Sequence, residues 1–347
     1  LVGSEMCIRD RVYVLNYAKT KVDTDFSGPM GMMKMFQTIF GGGGKKRASA
    51  TNKLAIVYAV GPIMPGKSQN DPLAGQVMGS TTIVKALNKA GDDDSVKAIV
   101  MRVDSPGGSA LASDLIWRAT GTIEKPIVVS MGNVAGSGGY YISMGADRIF
   151  AEPGTITGSI GVVGGKMSLK KMYNKIGMDV DTISRGENSG ILSSSQKFTE
   201  SERKVFTTMM EDIYGQFTSK AAAGRGMEID KLKALAGGKV YTGRVAKRNG
   251  LIDEVGTLQD AIAAAKRLAG IDVDEKVEVK LLPEPVNPFE ELFGGGKESE
   301  REVRLGLVGD LLSVAPELTK PLRQAVQFRN ALREPAILMM PYWIDIK

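Results

Sequence analysis

The stretch Pro126-Ile127-Val128-Val129-Ser130-Met131-Gly132-Asn133-Val134-Ala135-Gly136-Ser137-Gly138-Gly139-Tyr140 reads as a β-branched strand over 126–131 that runs through a glycine-rich turn into a helix. Such a turn leaves backbone N–H groups at a helix start, where negative charge is favoured. Its glycines let a substrate come close to the main chain. Ser137 ends a strand between glycines, as in a nucleophile elbow, but Ala135 replaces the first glycine of the G-x-S-x-G form.

The same grammar extends in both directions. Upstream, the strand-like run 96–103 enters Asp104-Ser105-Pro106-Gly107-Gly108-Ser109 and then a helical pattern over 110–124; a strand over 54–60 and a helix over 81–90 come before it. Downstream, a strand-like 148–151 leads to Gly154-Thr155-Ile156-Thr157-Gly158-Ser159-Ile160-Gly161. This alternation predicts an α/β fold. A long helix is expected over 199–223, opened by Thr199 and Glu202 as a capping box, with Phe206, Met210, Ile213 and Phe217 on one face. Shorter helices follow over 228–236, 242–249 and 257–269.

The 347 residues contain no histidine and one cysteine, Cys7. A Ser-His-Asp triad, an intrachain disulfide and the common zinc sites are thereby excluded. Proton transfer near neutral pH would fall to lysine, carboxylates, tyrosine or water. The net charge of +6 comes from 45 basic and 39 acidic residues without a basic block, which argues against nucleic-acid binding. Neither a phosphate-binding G-x-x-x-x-G-K-[ST] run nor a dinucleotide fingerprint is present, so no cofactor is expected. No run reaches the roughly 18 apolar residues that span a bilayer.

Residues 1–11 lack periodicity and are set aside as a non-native or unstructured start. The segment 12–53 is expected to be the end of a missing N-terminal half, with the run Gly31-Met32-Met33-Lys34-Met35-Phe36, followed by a linker of Gly41 to Gly44 with Lys45-Lys46-Arg47. The folded domain is expected over 54–271. Residues 272–347 read as a tail with a Pro- and Gly-rich linker and helical patterns over 303–314 and 321–332, without visible chemistry.

Taken singly, each glycine turn is accounted for by a tight strand-to-helix connection. The ordered set is more specific. Asp104-Ser105-Pro106-Gly107-Gly108, then Ala135-Gly136-Ser137-Gly138-Gly139-Tyr140-Tyr141-Ile142-Ser143, then Thr157-Gly158-Ser159-Ile160-Gly161 closely resembles the signal peptide peptidase family (SppA, protease IV). Gly238-Lys239-Val240-Tyr241-Thr242-Gly243, Ala246-Lys247 and Gly250-Leu251-Ile252-Asp253 extend the likeness, which covers roughly 53–271.

The resemblance implies a serine–lysine peptidase on a ClpP/crotonase-like fold of repeated β-β-α units, assembled as a homo-oligomer at a membrane. It makes Ser137 the nucleophile and places the oxyanion hole at the N–H of Gly138 with that of Gly107 or Gly108. Ser159 matches the serine that orients the base lysine. A lysine desolvated by burial can be neutral near pH 7 and accept the serine proton. The implied substrates are hydrophobic signal-peptide segments, and the implied location is the extracytoplasmic face of the inner membrane. Val134, Ile160, Val162 and Val163 would suit a small apolar substrate pocket or, equally, the core.

In the short members of the family the base lysine lies between the Gly-Ser-Ile-Gly turn and the long helix. Here that interval, 181–192, holds no lysine, and Arg185 stays protonated. In the long, two-half members the lysine comes from the N-terminal half, and this chain matches the C-terminal half. The base lysine is therefore expected outside this chain; Lys166, Lys170, Lys171 and Lys197 are the local alternatives and read as surface charges. Two competing expectations are a crotonase-type acyl-CoA hydratase or isomerase using Glu187 and Asp147, and a catalytically inactive scaffold half.

Overall fold

Leu54, Ala55, Ile56, Val57 and Ala59 are all buried, so both faces of strand β1 (Lys53–Val60) are covered. That pattern belongs to the interior of a parallel sheet. The computed structural model describes residues 52–71, 75–284 and 336–339. The chain divides into the units Leu1–Ser49 and Ala50–Lys347. The first unit, with the expected start segment and most of the linker region 12–53, lies outside the described residues, as do the helical patterns expected at 303–314 and 321–332.

After β1 come the short strands β2 (Ile63–Met64), β3 (Gln69–Asp71) and β4 (Gly75–Gly79), then helix α1 (Ser80–Gly91). The scheme recurs as β5 (Val96–Ser105), β6 (Gly107–Ser109) and α2 (Ala110–Gly121). It recurs again, shortened, as β7 (Ile127–Gly136) and α3 (Gly138–Tyr141), followed by β8 (Arg148–Ala151) and β9 (Ile156–Gly158). Then follow α4 (Lys170–Lys175), α5 (Glu200–Gly224), α6 (Ile229–Leu235), β10 (Val240–Thr242), α7 (Gly243–Asn249), β11 (Glu254–Val255), α8 (Leu258–Leu268), β12 (Glu278–Leu282) and β13 (Ile337–Met339).

The long strands β1, β5 and β7 centre one sheet of order β10-β9-β7-β5-β1-β12, with β8 beside β7 and β11 beside β8, parallel except for the β9/β10 pair. The short strands build a second sheet, β13-β6-β2-β4-β3. The first two repeats thus feed a long strand to one sheet, short strands to the other and a helix over the core, while the third contributes strands to the first sheet alone. This is the α/β architecture of β-β-α units that the sequence predicts.

Two boundaries differ from expectation. The strand predicted at 126–131 continues to Gly136, because Val134, Ala135 and Gly136 pair with Ile156, Thr157 and Gly158 of β9. The Asp104 carboxylate holds the bend between the two halves, accepting the Val134 N–H at 3.1 Å, and a β-carbon at Gly132 would strike it.

The domain also does not end at Ile271. β12 runs beside β1 from Lys53/Glu278 to Val57/Leu282, and β13 joins β6. As an edge strand, β12 leaves Val279 and Leu281 exposed, and so gives no buried-strand pattern.

The capping box of α5 is as predicted: Thr199 Oγ1 accepts the Glu202 N–H at 3.1 Å, and Glu202 Oε2 accepts the Thr199 N–H at 3.0 Å. Phe206 and Phe217 of its apolar stripe are buried, while Met210 and Ile213 are half-buried. Phe217 meets Tyr141 with ring centroids 4.7 Å apart, which seats the long helix against α3.

Candidate active site

β7 ends at Gly136 and α3 begins at Gly138, so Ser137 alone makes the turn, with φ 54° and ψ −113°. A side chain at such a φ costs about 1–3 kcal/mol and persists only where the surroundings enforce it. The surroundings do so here. The Ser137 N–H donates to the Gly158 carbonyl at 2.8 Å, and the Ser137 carbonyl accepts the Tyr141 N–H at 2.8 Å. Thr157 Oγ1 donates to the Ala135 carbonyl at 2.7 Å. Ser137 is buried, and its Oγ has no hydrogen-bond partner among the described residues. A buried hydroxyl without a partner carries a desolvation cost that a purely structural serine would avoid.

The helix after Ser137 is tied down by its two tyrosines. Tyr140 OH donates to the Leu251 carbonyl at 2.9 Å, and Tyr141 OH donates to Asp114 Oδ1 at 2.8 Å. Burial raises the pKa of both phenols, and Asp114 raises that of Tyr141 further, so both remain protonated donors. Burial alone would raise the pKa of Asp114, but hydrogen bonds from Lys220, Tyr141 and Arg118 hold it below the ordinary carboxylate value. Lys220 Nζ bonds Asp114 and the Tyr141 hydroxyl, and lies 4.6 Å from the centre of the Trp117 ring. Asp114 and Lys220 carry no signal in the sequence, and Tyr141 is marked only by its place in the motif that contains Ser137.

The two glycine turns meet. A β-carbon on Gly107 would stand 2.7 Å from the Gly138 nitrogen and collide with the Leu338 carbonyl oxygen; one on Gly138 would stand 3.0 Å from that same oxygen. Gly107, at φ 98°, can therefore be nothing but glycine, and Gly108 is closed to a side chain by the Ile63 backbone.

Of the two candidate donors, the Gly107 N–H is already engaged by Ser105 Oγ at 3.1 Å, and that hydroxyl donates to the Gly61 carbonyl at 2.7 Å. Gly108 remains. It lies opposite Leu338 in the β6/β13 ladder. The Ala110 N–H donates to the Ala336 carbonyl at 3.2 Å, which makes that pair a hydrogen-bonded one. By the two-residue alternation of an antiparallel ladder, Gly108/Leu338 is the next. The Leu338 carbonyl thus faces the Gly108 N–H beside Gly138.

Ser159 follows Gly158, the strand partner of Gly136. It is buried, has φ 50°, and donates its N–H to the Lys239 carbonyl at 2.7 Å. Of the apolar residues expected near the site, Ile160 is buried in the main core and Val134 and Val162 are half-buried. The side chain of Val163 is exposed, but its backbone bonds Ile337.

Lys170, Lys171 and Lys197 are exposed, as expected. Lys166 is not a surface charge: its side chain is 5% exposed and bonds Glu202 Oε2 at 3.2 Å and the Gly190 carbonyl at 2.9 Å. The Thr199 N–H, then Lys166, keep the Glu202 pKa below its ordinary value, so the pair is ionic. The segment before α5 folds back onto that helix, which draws Lys166 inward. Among the described residues no group of acidic or cysteine side chains is arranged to hold a metal, and no helix is long and apolar enough to cross a membrane.

The model of peptidase family S49 matches residues 119–272. A protease homologue from Synechocystis sp. is 34% identical over 268 residues, covering 76% of this chain and 92% of that protein. The chain belongs to peptidase family S49. "Serine protease SPPA, chloroplastic" of Arabidopsis thaliana is 38% identical over 283 residues, 80% of this chain. "Protease 4" of Haemophilus influenzae is 37% identical over 230 residues, 65% of this chain. The chain spans only 40% and 36% of the length of these two relatives.

The β-β-α repeats are accordingly the ClpP/crotonase-like arrangement, used by an S49 chain. The acyl-CoA alternative is overturned. Asp147 accepts the Ile127 N–H at 2.8 Å, at the start of β7, whereas Ser137 follows the end of that strand. Glu187 is exposed. Neither carboxylate belongs to the site, and S49 membership makes the scaffold reading the exception.

Proposed function

We propose that this chain supplies the nucleophile and oxyanion hole of a serine endopeptidase. The observation that carries the reading is Ser137 at a strained turn, with a buried, unpartnered hydroxyl next to a peptide carbonyl held between Gly108 and Gly138. Ser137 Oγ attacks the scissile carbonyl carbon, and the N–H groups of Gly108 and Gly138 receive the developing oxyanion. A neutral lysine takes the Ser137 proton and later delivers it to the leaving amine. Water then hydrolyses the acyl-enzyme. Ser159 positions that lysine.

The lysine comes from outside this chain, from an N-terminal half of a two-half enzyme. Three observations support this: the lysine-free interval 181–192, the ion-paired state of Lys166, and the greater length of two relatives. The substrates are apolar segments of cleaved signal peptides, met by a homo-oligomer at the extracytoplasmic face of the inner membrane. The test is hydrolysis of a fluorogenic apolar peptide by this chain with and without the upstream half. Turnover only in the pair, lost in Ser137→Ala, is the expected result. Turnover by this chain alone, lost in the same variant, would remove the second half from the mechanism.

A further inference from the structure

The two donors proposed for the oxyanion start two different helices. Gly108 leads into α2 and Gly138 opens α3, so the distance between their N–H groups follows from how these helices pack. At the first turn the contact is tight. Ser113 Oγ of α2 donates to the Ser109 carbonyl at 2.8 Å, and a β-carbon on Gly138 would stand only 2.6 Å from it. One turn further along α2, Trp117 meets the Tyr141 ring edge-on, with centroids 6.2 Å apart. Tyr141 is tied directly to the nucleophile, because its N–H bonds the Ser137 carbonyl at 2.8 Å.

This second contact carries a polar triangle with one corner on each of three helices. Asp114 Oδ1 of α2 accepts the Tyr141 hydroxyl at 2.8 Å; Lys220 Nζ of α5 bonds that carboxylate and, at 3.0 Å, the phenol oxygen. The Lys220 and Asp114 side chains are 20% and 17% exposed, so these bonds are made largely out of water. Arg118 already pairs with Asp114 Oδ2 from the same helix. Apolar replacement of a desolvated ion pair is often neutral for stability, so stability alone does not account for a second cation. One bond lets two helices pivot about it, whereas three mutual bonds do not.

We propose that Asp114, Tyr141 and Lys220 are positioning residues for peptide cleavage: their triangle holds α3 against α2 and thereby sets the spacing of the Gly108 and Gly138 N–H groups. The effect on cleavage rests on the peptidase reading; the clamp between the helices does not. The polar atoms of the three side chains bond one another, and so they act on the site through the α3 backbone. Loosening the triangle accordingly lowers turnover rather than substrate binding.

The experiment compares Tyr141→Phe, Lys220→Met and Lys220→Arg with the native sequence. Each chain is combined with the upstream half, and each rate is expressed per folded molecule from near-ultraviolet circular dichroism. With the fluorogenic apolar peptide, Tyr141→Phe and Lys220→Met are expected to lower kcat about ten-fold at nearly unchanged KM, since a misplacement of about 1 Å costs on the order of 100-fold. Lys220→Arg, which keeps a cation in the triangle, should retain most of kcat. A peptide aldehyde of the same sequence, whose hemiacetal oxygen takes the place of the oxyanion, should bind about ten-fold more weakly to the first two variants. Native kcat in Tyr141→Phe, or a loss that lies in KM or in the folded fraction alone, overturns the inference.

If the native pair hydrolyses no peptide, the peptidase reading fails, and hydrogen exchange of this chain decides the clamp. Faster amide exchange confined to 138–144 in Tyr141→Phe upholds it; exchange equal to that of the native chain overturns it.

Discussion

Ser137 and Ser159 stand one residue beyond a paired position of two parallel strands, Gly136 of β7 and Gly158 of β9, and both turn there into positive φ, 54° and 50°. They are the non-glycine residues with positive φ among the described residues. The Ser137 N–H to Gly158 carbonyl bond couples the two turns. Backbone strain at both is therefore sustained by one shared ladder, as expected where geometry serves chemistry rather than stability.

Replacement of Ser159 separates these two contributions. Ser159→Gly relieves a left-handed conformation that costs a side chain about 1 kcal/mol, whereas Ser159→Ala keeps the cost. Thermal denaturation should rank the glycine variant above the alanine variant. If the hydroxyl positions the base, both lose turnover in the complete enzyme, and the alkaline limb of the pH–rate profile shifts. Full activity in either variant would remove Ser159 from the site.

Ser105 is fully buried and bridges Gly61 and Gly107 through one hydroxyl. Ser105→Ala leaves a carbonyl and an N–H without that partner, at a cost of about 1–3 kcal/mol. Chemical denaturation should report a loss in this range. Because the freed Gly107 N–H lies next to Gly108, the donor proposed for the oxyanion, turnover should fall while KM changes little.

Gly107→Ala places a methyl group at the convergence of Leu338 and Gly138 and forces a side chain to φ 98°. The methyl group would crowd the Gly138 nitrogen, a proposed oxyanion donor, and displacing one such donor costs roughly 100- to 1,000-fold in turnover in comparable sites. A loss of that order in kcat is expected. The same methyl group should also expel β13, read as increased protease sensitivity near Leu338.

Much of this was legible because it is local. Glycines around Ser137, Gly107 and Gly158 mark turns whose backbone no other residue supports, and Thr199 with Glu202 marks a helix start within four residues. What could not be read depends on distant chain segments. The Leu338 strand has no pattern of its own and gains its meaning from β6; β12 has an exposed face; Lys166 lies in a polar-looking stretch that folds back onto Glu202. The choice between Gly107 and Gly108 required knowing where one hydroxyl, Ser105 Oγ, points.

Asp114 links acid stability to the helix that follows Ser137. Its pKa in the fold lies below the ordinary value, so its stabilisation is present above about pH 4 and is lost as the pH falls through the lower, folded value. The melting temperature of the native chain should decline over that acid range, and Asp114→Asn should flatten the decline. The variant should also be less stable at neutral pH, because Lys220 loses its carboxylate partner. An unchanged acid limb would show that Asp114 is not what ties Lys220 and Tyr141 together.

Lys166 decides between a structural ion pair and a local catalytic base. Its Nζ bonds Glu202, and Glu202 in turn caps α5 through Thr199, so the lysine supports a helix start. Lys166→Met should lower the melting temperature by leaving the Glu202 carboxylate without its cation. Lys166→Met combined with Glu202→Gln should recover part of the loss, because the uncompensated charge is gone while the amide oxygen still accepts from Thr199. Turnover per folded molecule in the complete enzyme should equal that of the native protein in both. Loss of turnover in Lys166→Met that the second substitution does not restore, with folding intact by circular dichroism, would make Lys166 the base and place the whole dyad within this chain.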